Sequence, residues 1–151
     1  MAIIPEKYTT LSPLQEEYRK FWQRFNELSL IHSEFSSTFK VHPIPSIRCY
    51  QDFAVGQPYH LFLKVNFKQN TFHVGAYFNN FPKFIEYNDI HKTRIESELG
   101  GELLWKQQTT AGSAERIFVA DLFDKSKYDD ICHRMMDEGL KLVSIFKKFS
   151  D

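Results

Sequence analysis

The sequence predicts a single α+β domain in which a mainly antiparallel, five-stranded sheet is covered by three helices. Three observations support this prediction. Apolar residues recur every three or four positions near both ends of the chain, as in amphipathic helices. Between them, short segments alternate apolar and polar residues around tight turns, as in antiparallel strands. With 151 residues, 42% of them hydrophobic, the chain is long enough to bury one core. The predicted order is α-β-β-β-α-β-β-α.

The first helix is predicted to begin with a capping box. Ser12 can accept a hydrogen bond from the first turn, Pro13 suits that turn, and Gln15 can bond back to the cap. Apolar residues follow at spacings of three and four, at Leu14, Tyr18, Phe21, Trp22, Phe25 and Leu28. We expect residues 1–12 to form an N-terminal arm before a folded core of residues 13–149.

A connector is expected at residues 33–46, because Ser, Thr and two prolines interrupt the helical periodicity and leave room for one irregular turn. Three strands follow, predicted at residues 47–53, 59–67 and 71–79. A two-residue turn at Gln69 and Asn70, where Asn tolerates a left-handed conformation, would set Phe67 opposite Phe72. The other face would then pair Phe62 with Tyr77, Lys64 with Gly75, Asn66 with His73 and His60 with Asn79.

The second half of the chain is predicted to add a helix, a hairpin and a closing helix. The segment Asn79-Asn80-Phe81-Pro82 offers a cap and a first-turn proline for the middle helix, which would run to about Leu99, where Gly100-Gly101 can supply the left-handed residue that ends it. Glu96 and Glu98 are expected on the exposed side of this helix end. The hairpin strands are predicted at residues 102–108 and 114–121, and the final helix at residues 126–149.

The charge balance argues against an obvious polyanion-binding protein. Lysine plus arginine and aspartate plus glutamate are equal at 19 each, so only a local patch could serve nucleic acid. The N-terminus has no basic region followed by a long apolar one, and no apolar window is long enough to span a membrane. We therefore expect a cytoplasmic protein with no membrane partner. Cys49 and Cys132 are expected to be free thiols, with a disulfide as the less favoured alternative.

The common enzyme motifs are absent from the sequence. The six histidines form no helical i,i+4 pair and no cluster with cysteine, and the glycines form neither a phosphate loop nor a dinucleotide fingerprint, so no metal and no cofactor are predicted. The order α-β-β-β-α-β also occurs in restriction-endonuclease-like nucleases, but the third strand lacks the Glu-x-Lys that holds Mg²⁺ and positions water. A divergent metal-dependent nuclease that uses Asp52, Glu102 or Glu115 stays as an alternative.

One face of the predicted hairpin combines aromatic, cationic and amide side chains. Such a face can stack bases and contact phosphates, as in several proteins that bind single-stranded nucleic acid. An ordinary half-solvated face, or one covered by a partner or a second copy, is the simpler alternative. The candidate binding residues are His60, Phe62, Lys64, Asn66, His73, Tyr77 and Asn79.

Several segments resemble the bacterial domain of unknown function family 4268. They are YRKFW, FAVGQPYHLFLKVNF followed by FHVGAYF, IESELGGELLW, and the closing helix with LVSIF, and the resemblance spans residues 13–149. Members often lie at the C-terminal end of larger proteins whose upstream part resembles a nuclease or restriction-type module. The resemblance therefore implies a non-catalytic accessory or recognition domain near DNA processing or defence, with nucleic acid or a separate nuclease-type protein as its partner. It implies no catalytic residues.

Overall fold

The computed structural model describes residues 10–150 and confirms the α+β class. The helices are α1 (Pro13–Ile31), α2 (Ser33–Thr38), α3 (Phe81–Glu86), α4 (Lys92–Leu99) and α5 (Tyr128–Lys147), with a π-helical turn at Tyr87–His91 and a 3-10 turn at Lys125–Lys127. The strands are β1 (Tyr50–Ala54), β2 (Tyr59–Asn66), β3 (Thr71–Phe78), β4 (Leu104–Gln107) and β5 (Gly112–Val119). They form one antiparallel sheet in the order β1-β2-β3-β5-β4. Most of the predicted N-terminal arm, residues 1–9, lies outside the described residues.

The helices cover one face of this sheet. Phe25 of α1 makes a ring contact with Phe53 of β1, at 6.3 Å between centroids. Gly139 lets α5 approach closely, because a Cβ there would already lie 3.2 Å from a methyl carbon of Leu61 on β2. Tyr87, between α3 and α4, packs against Tyr59 on the same face. The core therefore fills the space between one helical layer and one sheet face.

Within residues 10–150, no helix is both long enough and apolar enough to cross a bilayer.

The first helix begins as predicted, but the connector after it contains a further helix. Ser12 and Gln15 form the reciprocal hydrogen bonds of a capping box. Residues 33–38 then form α2, where an irregular turn was predicted. His32 caps α2 by accepting a hydrogen bond from the backbone N–H of Phe35 at 3.1 Å, and the ring of Phe35 is fully buried. Burial of one aromatic ring outweighs the low helix propensity of the Ser- and Thr-rich segment.

The predicted hairpin register is wrong by two residues. Asn66 pairs with Thr71, so the turn has four residues instead of two. Phe67 leaves the ladder because its ring is buried beneath α1, 5.4 Å from the ring of Tyr18. The left-handed conformation predicted for Asn70 is confirmed, with φ of 53°. A two-residue shift preserves the face of every side chain, so the partners across the strands change while the predicted faces remain.

The middle helix is interrupted by the π-helical turn, which the sequence pattern did not predict. Tyr87 at the start of this turn is buried and donates a hydrogen bond to the carbonyl of Phe146 on α5 at 3.0 Å. The helix ends at the predicted glycine pair, where Gly100 is the left-handed residue, with φ of 77°. The expectation that Glu96 faces solvent is wrong. Its carboxylate accepts hydrogen bonds from the backbone N–H of Leu103 and from the indole N–H of Trp105. It therefore joins the helix end to β4.

Candidate functional site

The sheet face opposite the helices is called the open face, because no described helix packs on it. Its side chains come from alternate positions of the five strands. They are Tyr50, Asp52 and Ala54 on β1, His60, Phe62, Lys64 and Asn66 on β2, Thr71, His73, Gly75 and Tyr77 on β3, Ser113, Glu115, Ile117 and Val119 on β5, and Leu104 and Lys106 on β4. Tyr77 is 39% exposed and Ile117 46% exposed. The face is accessible over much of its width.

The seven sequence-predicted candidates are placed unequally on this surface. His60, Phe62, Lys64 and Tyr77 lie together on it, with His60 directly opposite Tyr77 and Lys64 opposite His73. His73 is only 6% exposed, so its ring belongs to the interior of the face. Asn66 accepts a hydrogen bond from the backbone of Gln69 and so holds the hairpin turn. Asn79 is exposed just beyond the end of β3. Four of the seven therefore form a continuous accessible group.

Phe62 packs over a glycine that its ring requires. Gly75 lies directly opposite Phe62 in the register. A Cβ at position 75 would lie 2.6 Å from the ring carbon Cζ of Phe62 and 2.6 Å from the carbonyl oxygen of Ala114. The missing side chain thus gives the ring space to lie across β3. The ring is half-buried, so it keeps an accessible surface in the middle of the face.

A buried ionic group of Glu115, His73 and Lys106 lies beside this ring, and the sequence pattern did not predict that these three side chains meet. Glu115 is 3% exposed, and its Oε1 accepts a hydrogen bond from Nζ of Lys106 at 3.0 Å. Its Oε2 lies 3.3 Å from Nδ1 of His73. The other ring nitrogen of His73, Nε2, is 3.1 Å from the hydroxyl of Thr71. Burial acts to raise the pKa of Glu115, but the contacts and charges of His73 and Lys106 outweigh it and lower this pKa to about 2.

This low pKa predicts a specific dependence of stability on pH. The folded-state value is depressed from 4.5, so ionised Glu115 stabilises the fold above about pH 4.5, and the contribution is lost as the pH falls toward 2. Between pH 5 and pH 3, the free energy of unfolding of the wild type is expected to fall by about 2 kcal/mol more than that of Glu115→Gln. Urea denaturation at both pH values measures this. Equal losses in the two proteins would show that Glu115 is not held in its charged form.

The carboxylates considered for a nuclease site are not brought together. Asp52 and Glu115 lie on the same row of the open face, but β2 and β3 separate their strands, which puts them roughly 14 Å apart. Glu102 is exposed before β4. Two oxygen ligands of one Mg²⁺ ion lie within about 5 Å of each other, so these residues cannot share an ion. Across residues 10–150, no three His, Cys, Asp or Glu side chains form a group suited to a metal ion.

The accessible charges on and beside the open face are mixed, with a small positive excess. Glu115 is compensated by Lys106, and Asp52 is the other carboxylate of the face. Lys64 has no ion-pair partner among the described residues. Within residues 10–150, the hydrogen bond of the Arg48 guanidinium, just before β1, goes to the hydroxyl of Tyr50 at 3.2 Å, and no carboxylate pairs with it. Two cations near aromatic rings are therefore available to an anionic ligand.

Comparison of the chain with family models, with curated proteins and with solved structures finds no match.

Proposed function

We propose that this chain is a non-catalytic recognition domain that binds single-stranded nucleic acid on the open face of its sheet. One observation carries the proposal: the face presents Tyr50, Phe62 and Tyr77 around Lys64, and no described helix lies over them. Aromatic rings on an open antiparallel sheet can stack unpaired bases, while a neighbouring cation contacts the backbone phosphates. Double-stranded nucleic acid does not fit this arrangement, because its bases are already stacked on one another.

The spacing of the aromatic rings supports a strand that crosses the sheet. Phe62 and Tyr77 are diagonal neighbours on β2 and β3, which places the two residues about 7–8 Å apart. Each ring can therefore stack its own base. Lys64 lies two positions along β2 from Phe62, on the same face, with Tyr50 opposite it on β1. A phosphate between two stacked bases comes within reach of its ammonium group.

The charge pattern predicts that stacking contributes more to affinity than electrostatics does. Lys64 and Arg48 are the cations without carboxylate partners in this region, so about two phosphates would be neutralised. For a single strand, the logarithm of the binding constant should then fall with the logarithm of salt concentration with a slope of about −1.4. A much steeper slope would place the binding site on another surface.

Lys64→Glu tests the site directly. The substitution replaces the central cation by an anion, and we expect it to weaken binding of a labelled single-stranded oligonucleotide about tenfold and to make the salt slope shallower by about 0.7 or more. Fluorescence anisotropy at several salt concentrations measures both. Lys92→Glu is the matched control, since Lys92 is exposed on α4 in the helical layer. Unchanged affinity and slope in Lys64→Glu would remove Lys64 from the binding site.

The β4 and β5 side of the open face favours a second candidate, a protein partner. Leu104, Ile117 and Val119 are exposed there, Val119 to 83%. Exposed apolar side chains at one edge of a sheet are typical of protein interfaces. The partner would be a separate nuclease-type protein, as the resemblance to family 4268 implies, or a second copy of this chain. Measuring the molar mass in solution over a range of concentrations separates self-association, in which the mass rises with concentration, from binding of a separate protein or of nucleic acid. A role in DNA processing or defence rests on that resemblance alone.

A further inference from the structure

A cleft beside β1 adjoins the open face, and none of the seven candidate binding residues predicted from the sequence lies in it. Its volume is about 220 Å³, and residues between positions 42 and 52 line it, including Ser46, Arg48, Tyr50 and Asp52. This is below the range of about 300–1,000 Å³ that is usual for pockets of drug-sized ligands. A cleft of this size can hold one small unit of a longer ligand. Tyr50 and Asp52 belong both to the cleft and to the open face, so a strand bound across the sheet would reach it.

The walls of this β1 cleft are held by hydrogen bonds to the core. The indole of Trp22 on α1 donates to the carbonyl of Arg48 at 2.9 Å. The hydroxyl of Ser46 donates to the carbonyl of Tyr50 at 2.9 Å and accepts from the backbone N–H of Arg48 at 3.0 Å. On the buried side, the amide of Gln51 donates to the side chain of Asn26 at 3.0 Å. The cleft is therefore preorganised, which lowers the entropy cost of binding.

Two opposite charges line the cleft without pairing with each other. The guanidinium of Arg48 donates to the hydroxyl of Tyr50 and has no carboxylate partner among the described residues. The carboxylate of Asp52 likewise has no ion-pair or hydrogen-bond partner there, although the backbone carbonyl of Asp52 accepts a bond from His42 at 2.7 Å. A guanidinium presents paired donors that fit a phosphate, and a carboxylate accepts hydrogen bonds from hydroxyl groups. A ribonucleotide carries both groups.

We propose that the β1 cleft binds one ribonucleotide of the strand, so that this domain prefers RNA to DNA; the inference rests on the proposed binding of a single strand by the open face. Arg48 contacts the phosphate, the ring of Tyr50 stacks on the base, and Asp52 accepts a hydrogen bond from the ribose 2′-hydroxyl. A deoxyribonucleotide has no hydroxyl to offer, so the carboxylate would remain unpaired next to a phosphate. The 2′-hydroxyl is the group by which a protein can tell RNA from DNA at a given position.

The test compares an oligouridylate of about eight nucleotides with its 2′-deoxy counterpart, which differ only in the hydroxyl. The wild type is expected to bind the ribose form about tenfold more tightly, the scale of one hydrogen bond to a charged group. Asp52→Ala should reduce this ratio to about twofold or less, whereas Arg48→Gln should weaken both ligands and leave the ratio unchanged. Asp89→Ala is the matched control, because Asp89 is exposed in the helical layer. Equal binding of the two strands by the wild type, or an unchanged ratio in Asp52→Ala, would overturn the inference.

A second measurement separates failure of this inference from failure of the proposed function. Uridine 5′-monophosphate and its 2′-deoxy form are titrated into the labelled protein and followed by NMR. The ribose form is expected to shift the backbone amides of residues 46–52, with a weaker response to the deoxy form. If strands bind at Lys64 but the sugars are not distinguished, only the ribonucleotide assignment is lost. If neither strand nor either monophosphate binds, the open face and the cleft both fail as nucleic-acid sites.

Discussion

Replacing Phe62 and Tyr77 together by alanine is expected to lower the affinity for single-stranded RNA by about a hundredfold. Stacking of a base on an aromatic side chain contributes about 1–3 kcal/mol, so the loss of two stacking surfaces gives a factor of this size. Each single variant should lose about tenfold. Tyr77→Phe keeps the ring and should retain most of the affinity. Fluorescence anisotropy measures the affinity of the four variants and of the wild type for the same labelled strand.

The control for this pair removes an exposed apolar side chain from the other side of the molecule. Ile90 is 68% exposed in the π-helical turn, and Ile90→Ala should leave RNA binding unchanged. The circular dichroism spectrum of each variant should match that of the wild type, because neither Phe62 nor Tyr77 belongs to the main core. A loss of less than about threefold in the folded double variant would mean that no base stacks on these rings.

The second large effect is expected on stability, from a methyl group added at Gly75. In Gly75→Ala the new Cβ would collide with the ring of Phe62 and with the carbonyl oxygen of Ala114, both 2.6 Å away. The free energy of unfolding should fall by about 1–3 kcal/mol, since both the ring and a paired strand must shift. Urea denaturation measures the loss. RNA binding should also weaken, because the displaced ring is one of the two proposed stacking surfaces.

Gly101→Ala is the comparison for this substitution. The atoms nearest to a Cβ at Gly101 would belong to the guanidinium of Arg116, at 3.0–3.2 Å, and that flexible side chain can move at small cost. Its loss of stability should therefore be the smaller of the two. In a Phe62→Ala background, Gly75→Ala should cost less than in the wild type, because one of its two collisions is removed. Equal costs in both backgrounds would mean that the ring does not occupy the space above Gly75.

The faces of the sheet could be predicted from the sequence, while the exact pairing could not. Strict alternation from Tyr59 to Val65 and from Phe72 to Phe78 assigns each side chain to the buried or the open face, and a register shift by two residues does not alter that assignment. The shift itself depends on Phe67, which leaves the ladder to pack beneath α1. That contact joins distant parts of the chain, so the local pattern carries no signal for it.

The composition of the open face was predictable for one hairpin only. His73 was expected on an accessible surface, but Glu115 comes from β5, which pairs with β3 across a long stretch of chain, and Lys106 comes from β4, which pairs only with β5. The alternation of β5 places Glu115 on the open face once its pairing is known, which is the signal that could have found the buried group. Arg48 and Asp52 were not linked to a cleft, because its shape depends on the loop before β1 and on the hydrogen bond from Trp22.

An NMR titration of the uniformly ¹⁵N-labelled protein with a single-stranded oligouridylate tests whether the open face binds nucleic acid. We expect the shifted backbone amides to cluster on the middle of the sheet, around His60, Phe62, Lys64 and Tyr77, and to continue into β1. The amides of α1, α4 and α5 should stay in place, because those helices cover the other face. Shifts centred on the helical layer, or no shifts at millimolar ligand, would contradict the assignment of the open face as a nucleic-acid binding surface.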